Sequence, residues 1–164
     1  MIVALLLGRK GSKGFPGKNT TMVMGHPLAW YPMRTALAVE DIDRVYLSMD
    51  DPKLIDIADG LGLEIIERPE HLANGVALGE HAFVHGYEEV IRRNPSEKIE
   101  LMVLLLCNAA TVSVKAINQG INLLRRNSFF DSAVTVSRYN MWSPLRARRL
   151  ESDGSLKPFV PFEN

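Results

Sequence analysis

An apolar strand followed directly by a basic, glycine-rich loop is the segment that most limits how this chain can fold. Residues 2–7 are all apolar, which predicts a short buried strand. The loop at residues 8–19 has four glycines, four cations and no acid. Glycine lets a backbone approach a ligand closely, and loops after the first strand of an α/β sheet lie where such folds bind ligands. We therefore expect an anion, usually a polyphosphate, to bind this loop.

The loop matches neither of two common phosphate-binding motifs. A Walker loop needs Gly-x4-Gly-Lys-Ser/Thr, but Gly17-Lys18 is followed by Asn19, and Ser12 takes the place of the first glycine. A dinucleotide-binding fingerprint needs Gly-x-Gly-x-x-Gly, and the glycines of this loop stand three residues apart, so no Gly-x-Gly pair occurs.

The loop does resemble the opening signature of the acylneuraminate cytidylyltransferases, the CMP-sialic acid synthetase family, as a divergent member. That signature is a strand followed by Ala-Arg-x-x-Ser-Lys-Gly-x-Pro-x-Lys-Asn. Gly8 replaces the alanine, and the residues in register are Arg9, Ser12, Lys13, Gly14, Pro16, Lys18 and Asn19. The resemblance continues through residues 25–30, 45–51 and 68–73.

The resemblance implies an α/β, Rossmann-like nucleotidyltransferase fold: a mostly parallel sheet flanked by helices, with a small hairpin or dimerisation lobe near the C-terminal end. It implies an enzyme that transfers CMP from CTP to a sialic-acid-like sugar acid with release of pyrophosphate, uses Mg²⁺ and forms a homodimer. Family members are longer, and aspartates in their later portion hold the metal. We therefore expect residues 1–164 to be a single nucleotidyltransferase domain that lacks its C-terminal portion, with metal ligands beyond residue 164.

The resemblance also assigns the nucleotide site. Arg9 and Lys18 would be the catalytic residues, holding the triphosphate and stabilising the charge on the leaving pyrophosphate. The other implied nucleotide contacts are Gly8, Gly11, Ser12, Lys13, Asn19, Arg68 and Ala77. One family aspartate, two residues before Ala77, is Gly75 here.

The largest departure from the family follows the apolar run at residues 100–106. Where the family has Gln-Pro-Thr-Ser-Pro-Leu-Arg, this chain reads Cys-Asn-Ala-Ala-Thr-Val-Ser, and the sugar-facing glutamine and arginine are lost. The predicted acceptor contacts are Cys107, Asn108, Thr111, Ser113 and Arg146. Two explanations stay open for this loss: a different acceptor, or a silent nucleotide-binding relative. If the protein is active, its acceptor differs from common sialic acid or finds its cation among Arg146, Arg148 and Arg149. A nicotinamide-dependent oxidoreductase is the alternative from another class.

Net charge and cysteine content limit the partners and the compartment that we expect. The formal net charge is zero, which argues against nucleic acid or a membrane surface as a partner. Residues 1–39 contain no acid, so positive charge is concentrated around the loop. A single cysteine, no signal-like segment and no long apolar run predict a cytoplasmic protein.

Strand and helix patterns alternate along the chain, which is typical of a mostly parallel α/β sheet. We predict strands at 2–7, 44–48, 63–66, 100–106 and 133–136, helices near 27–39, 52–60, 80–93 and 113–126, and a hairpin around residues 152–155. The run at 100–106 is expected to be a central strand. An aspartate at 50 or 51 caps the second helix more readily than it binds metal. His81 and His85 form a polar helix face or, less favoured, a metal pair.

Overall fold

A computed structural model of the chain describes residues 1–10, 14–73, 79–136 and 148–158. The chain divides into two compact units, residues 1–133 and 134–164. Whether these make one domain stays a prediction. The strands and helices of the first unit are β1 (Ile2–Leu7), β2 (Met22–Val23), β3 (His26–Pro27), α1 (Trp30–Leu37), β4 (Arg44–Met49), α2 (Pro52–Gly60), β5 (Glu64–Glu67), α3 (Glu70–Ala73), α4 (Gly79–Arg93), β6 (Leu101–Leu106) and α5 (Val114–Arg126).

Four parallel strands form the main sheet, in the order β5-β4-β1-β6. Leu5 of β1 lies opposite Tyr46 on one side and Leu104 on the other. The strand order along the chain reverses between β1 and β6, and ligands bind outside the carboxyl ends of strands at such a point. This topology confirms the predicted α/β fold and places residues 8 and 107 side by side.

The core covers both faces of β1, which explains its unbroken apolar sequence. Ile2, Ala4 and Leu6 pack on one face, in a cluster that includes residues of α1, α2 and α5. Val3, Leu5 and Leu7 pack on the other face, with Ala82 and Val90 of α4 and with Tyr46. The Tyr46 hydroxyl accepts a hydrogen bond of 3.0 Å from buried Asn94 Nδ2, so this polar group is paired inside the core.

Three of the predicted elements differ in the structure. Pro27 belongs to the two-residue strand β3, so α1 begins only at Trp30. Pro32 then lies in the first turn of α1, where its missing amide proton breaks no helical hydrogen bond and no kink is required. Residues 133–136 are not a strand.

The third difference concerns β6, which is an edge strand among the described residues, not a central one. Leu104 and Leu106 are 46% and 50% exposed, whereas Leu105 is buried. An apolar run predicts a strand, but it does not say on how many sides that strand is covered.

The second unit contains the predicted hairpin. Strands β7 (Arg148–Leu150) and β8 (Leu156–Pro158) pair antiparallel. Asp153 Oδ1 accepts hydrogen bonds from the backbone amide and the hydroxyl of Ser155, at 2.9 and 2.6 Å, and these close the turn. None of the helices in the described ranges is both long and apolar enough to cross a bilayer.

Candidate functional site

A cleft of about 200 Å³ opens at the carboxyl ends of β1 and β6, where the strand order reverses. Most residues that line it come from strand ends and from the loop after β1. They are Leu7, Gly8, Arg9, Lys18, Asn19, Arg68, Gly79, Ala82, Leu106 and Asn108. The cleft therefore brings together six of the predicted site residues: Gly8, Arg9, Lys18, Asn19, Arg68 and Asn108.

Three cations from separate parts of the chain meet at this cleft. Arg9 follows β1, Lys18 begins a short 3-10 helix (Lys18–Thr20), and Arg68 follows β5. No acidic side chain lines the cleft within the part of the chain that is described. Such a concentration of positive charge in a concave site attracts an anionic ligand.

The 3-10 helix holds Asn19 at the cleft. Gly17 precedes it with φ of 68°, a left-handed conformation that favours glycine, and its carbonyl accepts hydrogen bonds from the hydroxyls of Thr20 and Thr21. The Asn19 carbonyl accepts the Ala29 amide at 3.0 Å, which ties this turn to the start of α1. Asn19 is 6% exposed, and its Oδ1 accepts no hydrogen bond from the described residues. A buried acceptor without a donor suits a ligand that supplies an N–H or O–H group.

Arg68 is held against the end of β4. Its Nη2 donates to the Ser48 carbonyl at 2.6 Å, and Nε and Nη2 each lie 3.3 Å from Ser48 Oγ. Burial lowers the pKa of Arg68, while the nearby Asp50 carboxylate opposes that shift. An arginine keeps its proton at neutral pH even when its pKa is lowered, so Arg68 contributes a fixed positive charge.

The end of β4 also anchors the loop that follows β1. The Ser48 carbonyl accepts the Gly8 amide at 3.3 Å, and Asp50 Oδ1 accepts the Lys10 amide at 2.7 Å. Asp51, the next residue, caps α2 by accepting the Lys53 amide at 3.1 Å, which confirms the predicted cap. Sequence reasoning missed the roles of Ser48 and Asp50 because both contacts join segments about 40 residues apart.

Gly8 is closely packed against two side chains. A Cβ at this position would collide with the Met49 Cε methyl and lie 2.8 Å from Cys107 Sγ. Cys107 is 1% exposed, and burial raises the pKa of its thiol to about 12. The Met49 methyl and the Cys107 sulfur therefore occupy the space that a side chain at position 8 would need.

The remaining predicted site residues line the cleft, lie away from it, or fall outside the described residues. Asn108 lines the cleft. Ser113 is the N-cap of α5, its Oγ accepting the Ala116 amide at 3.2 Å, and Thr111 is exposed in the preceding turn. Buried Cys107 and capping Ser113 thus have structural roles, and the cleft lining includes neither them nor Thr111. Gly11, Ser12, Lys13, Ala77 and Arg146 lie outside the described residues.

No metal site is formed by the described residues. Across residues 1–10, 14–73, 79–136 and 148–158, no three His, Cys, Asp or Glu side chains lie close enough together to hold an ion. His81 and His85 share one turn of α4 but gain no third ligand there. Magnesium is often held by one or two carboxylates together with substrate phosphates, so the magnesium requirement stays a prediction.

Curated relatives cover most of the chain, although the chain spans well under half of each relative. An N-acylneuraminate cytidylyltransferase of Escherichia coli is 29% identical over 161 residues, covering 85% of this chain and 38% of that protein. A pseudaminic acid cytidylyltransferase and UDP-2,4-diacetamido-2,4,6-trideoxy-beta-L-altropyranose hydrolase of Helicobacter pylori is 24% identical, covering 92% and 28%. An N-acylneuraminate cytidylyltransferase of Oncorhynchus mykiss is 24% identical, covering 88% and 32%.

Solved structures share the fold. A CMP:2-keto-3-deoxy-manno-octonic acid synthetase in complex with CTP superposes with a TM-score of 0.63 at 19% identity, covering 79% of this chain and 49% of that one. A cytidylyltransferase from Leptospira borgpetersenii gives a TM-score of 0.60 at 16% identity, covering 78% and 50%. The family model described as Cytidylyltransferase matches residues 3–141, which include the main sheet except for Ile2. The chain therefore belongs to the cytidylyltransferase family.

Proposed function

We propose that the protein transfers CMP from CTP to a sugar acid and releases pyrophosphate. The observation that carries this proposal is the meeting of Arg9, Lys18 and Arg68 in one cleft at the reversal of strand order. A triphosphate is the most highly charged part of a nucleotide, and charge neutralisation is the main contribution that a protein makes to phosphoryl and nucleotidyl transfer.

CTP is supported as the nucleotide by the family and by a structural neighbour that was solved with CTP. The cleft adds an argument of its own, because Asn19 presents a buried acceptor that a nucleotide's amino or hydroxyl group could use. The relatives named above act on sialic, pseudaminic and octulosonic acids, which supports a sugar acid as the class of acceptor.

The reaction needs little covalent chemistry from the protein. A hydroxyl oxygen of the sugar acid attacks the α-phosphorus of CTP and gives its proton to water as the new P–O bond forms. The bond from the α-phosphorus to the β-phosphate oxygen breaks, and pyrophosphate leaves with that electron pair. Arg9 and Lys18 stabilise the charge that builds on the pyrophosphate, and Arg68 holds the nucleotide.

The segment that follows β6 bears on the choice of acceptor. Residues 107–113 supply an amide at Asn108 but no cation to bind a carboxylate. We therefore expect an acceptor other than common sialic acid, or a cation supplied by Arg146, Arg148 or Arg149. Arg149 already pairs with Glu151 at 2.8 Å. This altered segment also favours the second candidate, a nucleotide-binding relative without transfer activity. We further propose that the protein forms a homodimer.

A substrate panel separates the two candidates. The purified protein is incubated with CTP, Mg²⁺ and one of several sugar acids (sialic, pseudaminic or octulosonic), and released pyrophosphate is measured, with ATP and UTP as nucleotide controls. We expect release with CTP and at least one acid. Measurable CTP binding without release across the panel would support the silent relative, and failure to bind CTP would contradict both.

A further inference from the structure

Two aspartates flank β4, and each accepts a backbone amide from one end of β1. Before β4, Asp43 Oδ2 accepts the Ile2 amide at 2.6 Å. After β4, Asp50 Oδ1 accepts the Lys10 amide at 2.7 Å. The two contacts are alike in chemistry, but only the second lies beside the cleft that Arg9 lines.

The Asp50 contact completes a clamp around Arg9. The Gly8 amide is bound by the Ser48 carbonyl and the Lys10 amide by the Asp50 carboxylate, so the backbone is fixed on both sides of Arg9. A loop rich in glycine otherwise loses more conformational entropy when a ligand orders it. Ordering the loop in advance reduces that cost at the moment of binding.

Asp50 has no competing structural role among the described contacts. The α2 cap is made by Asp51. Among the described residues, Asp50 and Asp51 belong to no group of three or more side chains that could hold a metal.

We propose that Asp50 is a positioning residue that fixes loop residues 8–10 on the end of β4, so that Arg9 lines the cleft before a nucleotide arrives. The proposal rests on the proposed function only for the identity of that nucleotide. The contact requires an acceptor at this position and does not require a negative charge, which distinguishes it from a metal ligand.

Three variants test this role: Asp50→Ala, Asp50→Asn and, as the matched control, Asp43→Ala. Amide hydrogen exchange at Lys10 is measured by NMR without nucleotide, and the CTP dissociation constant is measured by calorimetry with and without Mg²⁺. In Asp50→Ala we expect faster Lys10 exchange and CTP binding weakened about tenfold, the equivalent of one charge-assisted hydrogen bond. Asp50→Asn keeps an acceptor and should stay close to the parent in both measurements. Asp43→Ala should lower the melting temperature without changing the affinity for CTP.

Two results would overturn the proposal: unchanged Lys10 exchange in Asp50→Ala, or a loss in Asp50→Asn as large as in Asp50→Ala. If the second loss occurred only with Mg²⁺ present, Asp50 would be a metal ligand instead. A parent protein that did not bind CTP would contradict the proposed function, while Lys10 exchange would still decide whether Asp50 anchors the loop.

Discussion

Single residues determine the charge of the cleft, and backbone groups help to hold two of them in place. Lys18 begins a 3-10 helix whose preceding glycine has a left-handed conformation. Arg68 donates to the carbonyl of Ser48. Since these groups are fixed before any ligand binds, removing a cation should affect ligand affinity far more than folding.

Replacing the loop cations tests whether they act on ligand affinity more than on folding. Arg9→Ala and Lys18→Ala should each weaken CTP binding by about 1.5–3 kcal/mol, the loss of a hydrogen bond to a charged group. Their melting temperatures should change little, because partly exposed charges contribute little to stability. Calorimetric titration and thermal unfolding measure the two effects. Arg126→Ala, which removes an exposed cation from the last turn of α5, should bind CTP like the parent, and equal affinity in all three variants would refute the site.

The structure brings the predicted nucleotide residues together more closely than the predicted acceptor residues, and the binding roles of both sets stay predictions. Arg9, Lys18, Asn19 and Arg68 were predicted from a motif and meet in one cleft. Cys107 and Ser113 were predicted from their positions in an altered segment, and the structure shows a buried thiol and a helix cap. Burial and capping depend on neighbours distant in sequence or on where a helix begins, and neither can be read from alignment to a family pattern.

At the scale of elements, variants at the start of α5 distinguish a helix-capping role of Ser113 from a role in acceptor binding. Ser113→Ala removes the cap from the Ala116 amide and should destabilise the fold by about 1 kcal/mol. Ser113→Asp keeps an acceptor at a helix N-terminus and should restore that loss. Urea unfolding measures both variants. If Ser113→Asp were as unstable as Ser113→Ala, the cap would not be its main role; a raised KM for the acceptor in both variants would show a substrate contact.

Most element boundaries followed from local signals, whereas sheet position did not. Helix α2 runs from Pro52 to Gly60 as predicted, because Asp51, Pro52 and the apolar spacing all agree. Strand β6 was expected to be central and is an edge strand among the described residues, and residues 133–136 were expected to be a strand and are not. Strand order depends on pairing between distant segments, on which an apolar run carries no information.

At the scale of the whole molecule, the buried thiol links folding to alkaline pH. The pKa of Cys107 is raised to about 12 in the folded chain, above the usual 9.0. The unfolded chain therefore loses this proton first as pH rises. The contribution of the Cys107 thiol to the free energy of unfolding is fully present below pH 9 and is lost between about pH 9 and 12.

Urea unfolding at a series of alkaline pH values checks this linkage. The free energy of unfolding should fall with pH more steeply in the parent than in Cys107→Ala, by up to about 1.4 kcal/mol per pH unit. The comparison of slopes removes the contribution of lysine and tyrosine side chains, which both proteins share. Parallel slopes would mean that the Cys107 thiol is accessible to water in the folded protein.

The packing around Gly8 also couples three positions of this site. Alanine at position 8 would meet both the Met49 methyl and the Cys107 sulfur, so one or both side chains would have to shift to admit it. A smaller residue at 49 or 107 would make room for that methyl group. Substitutions at positions 8, 49 and 107 should therefore have non-additive effects on stability, and combined variants can lose less stability than the sum of the single ones.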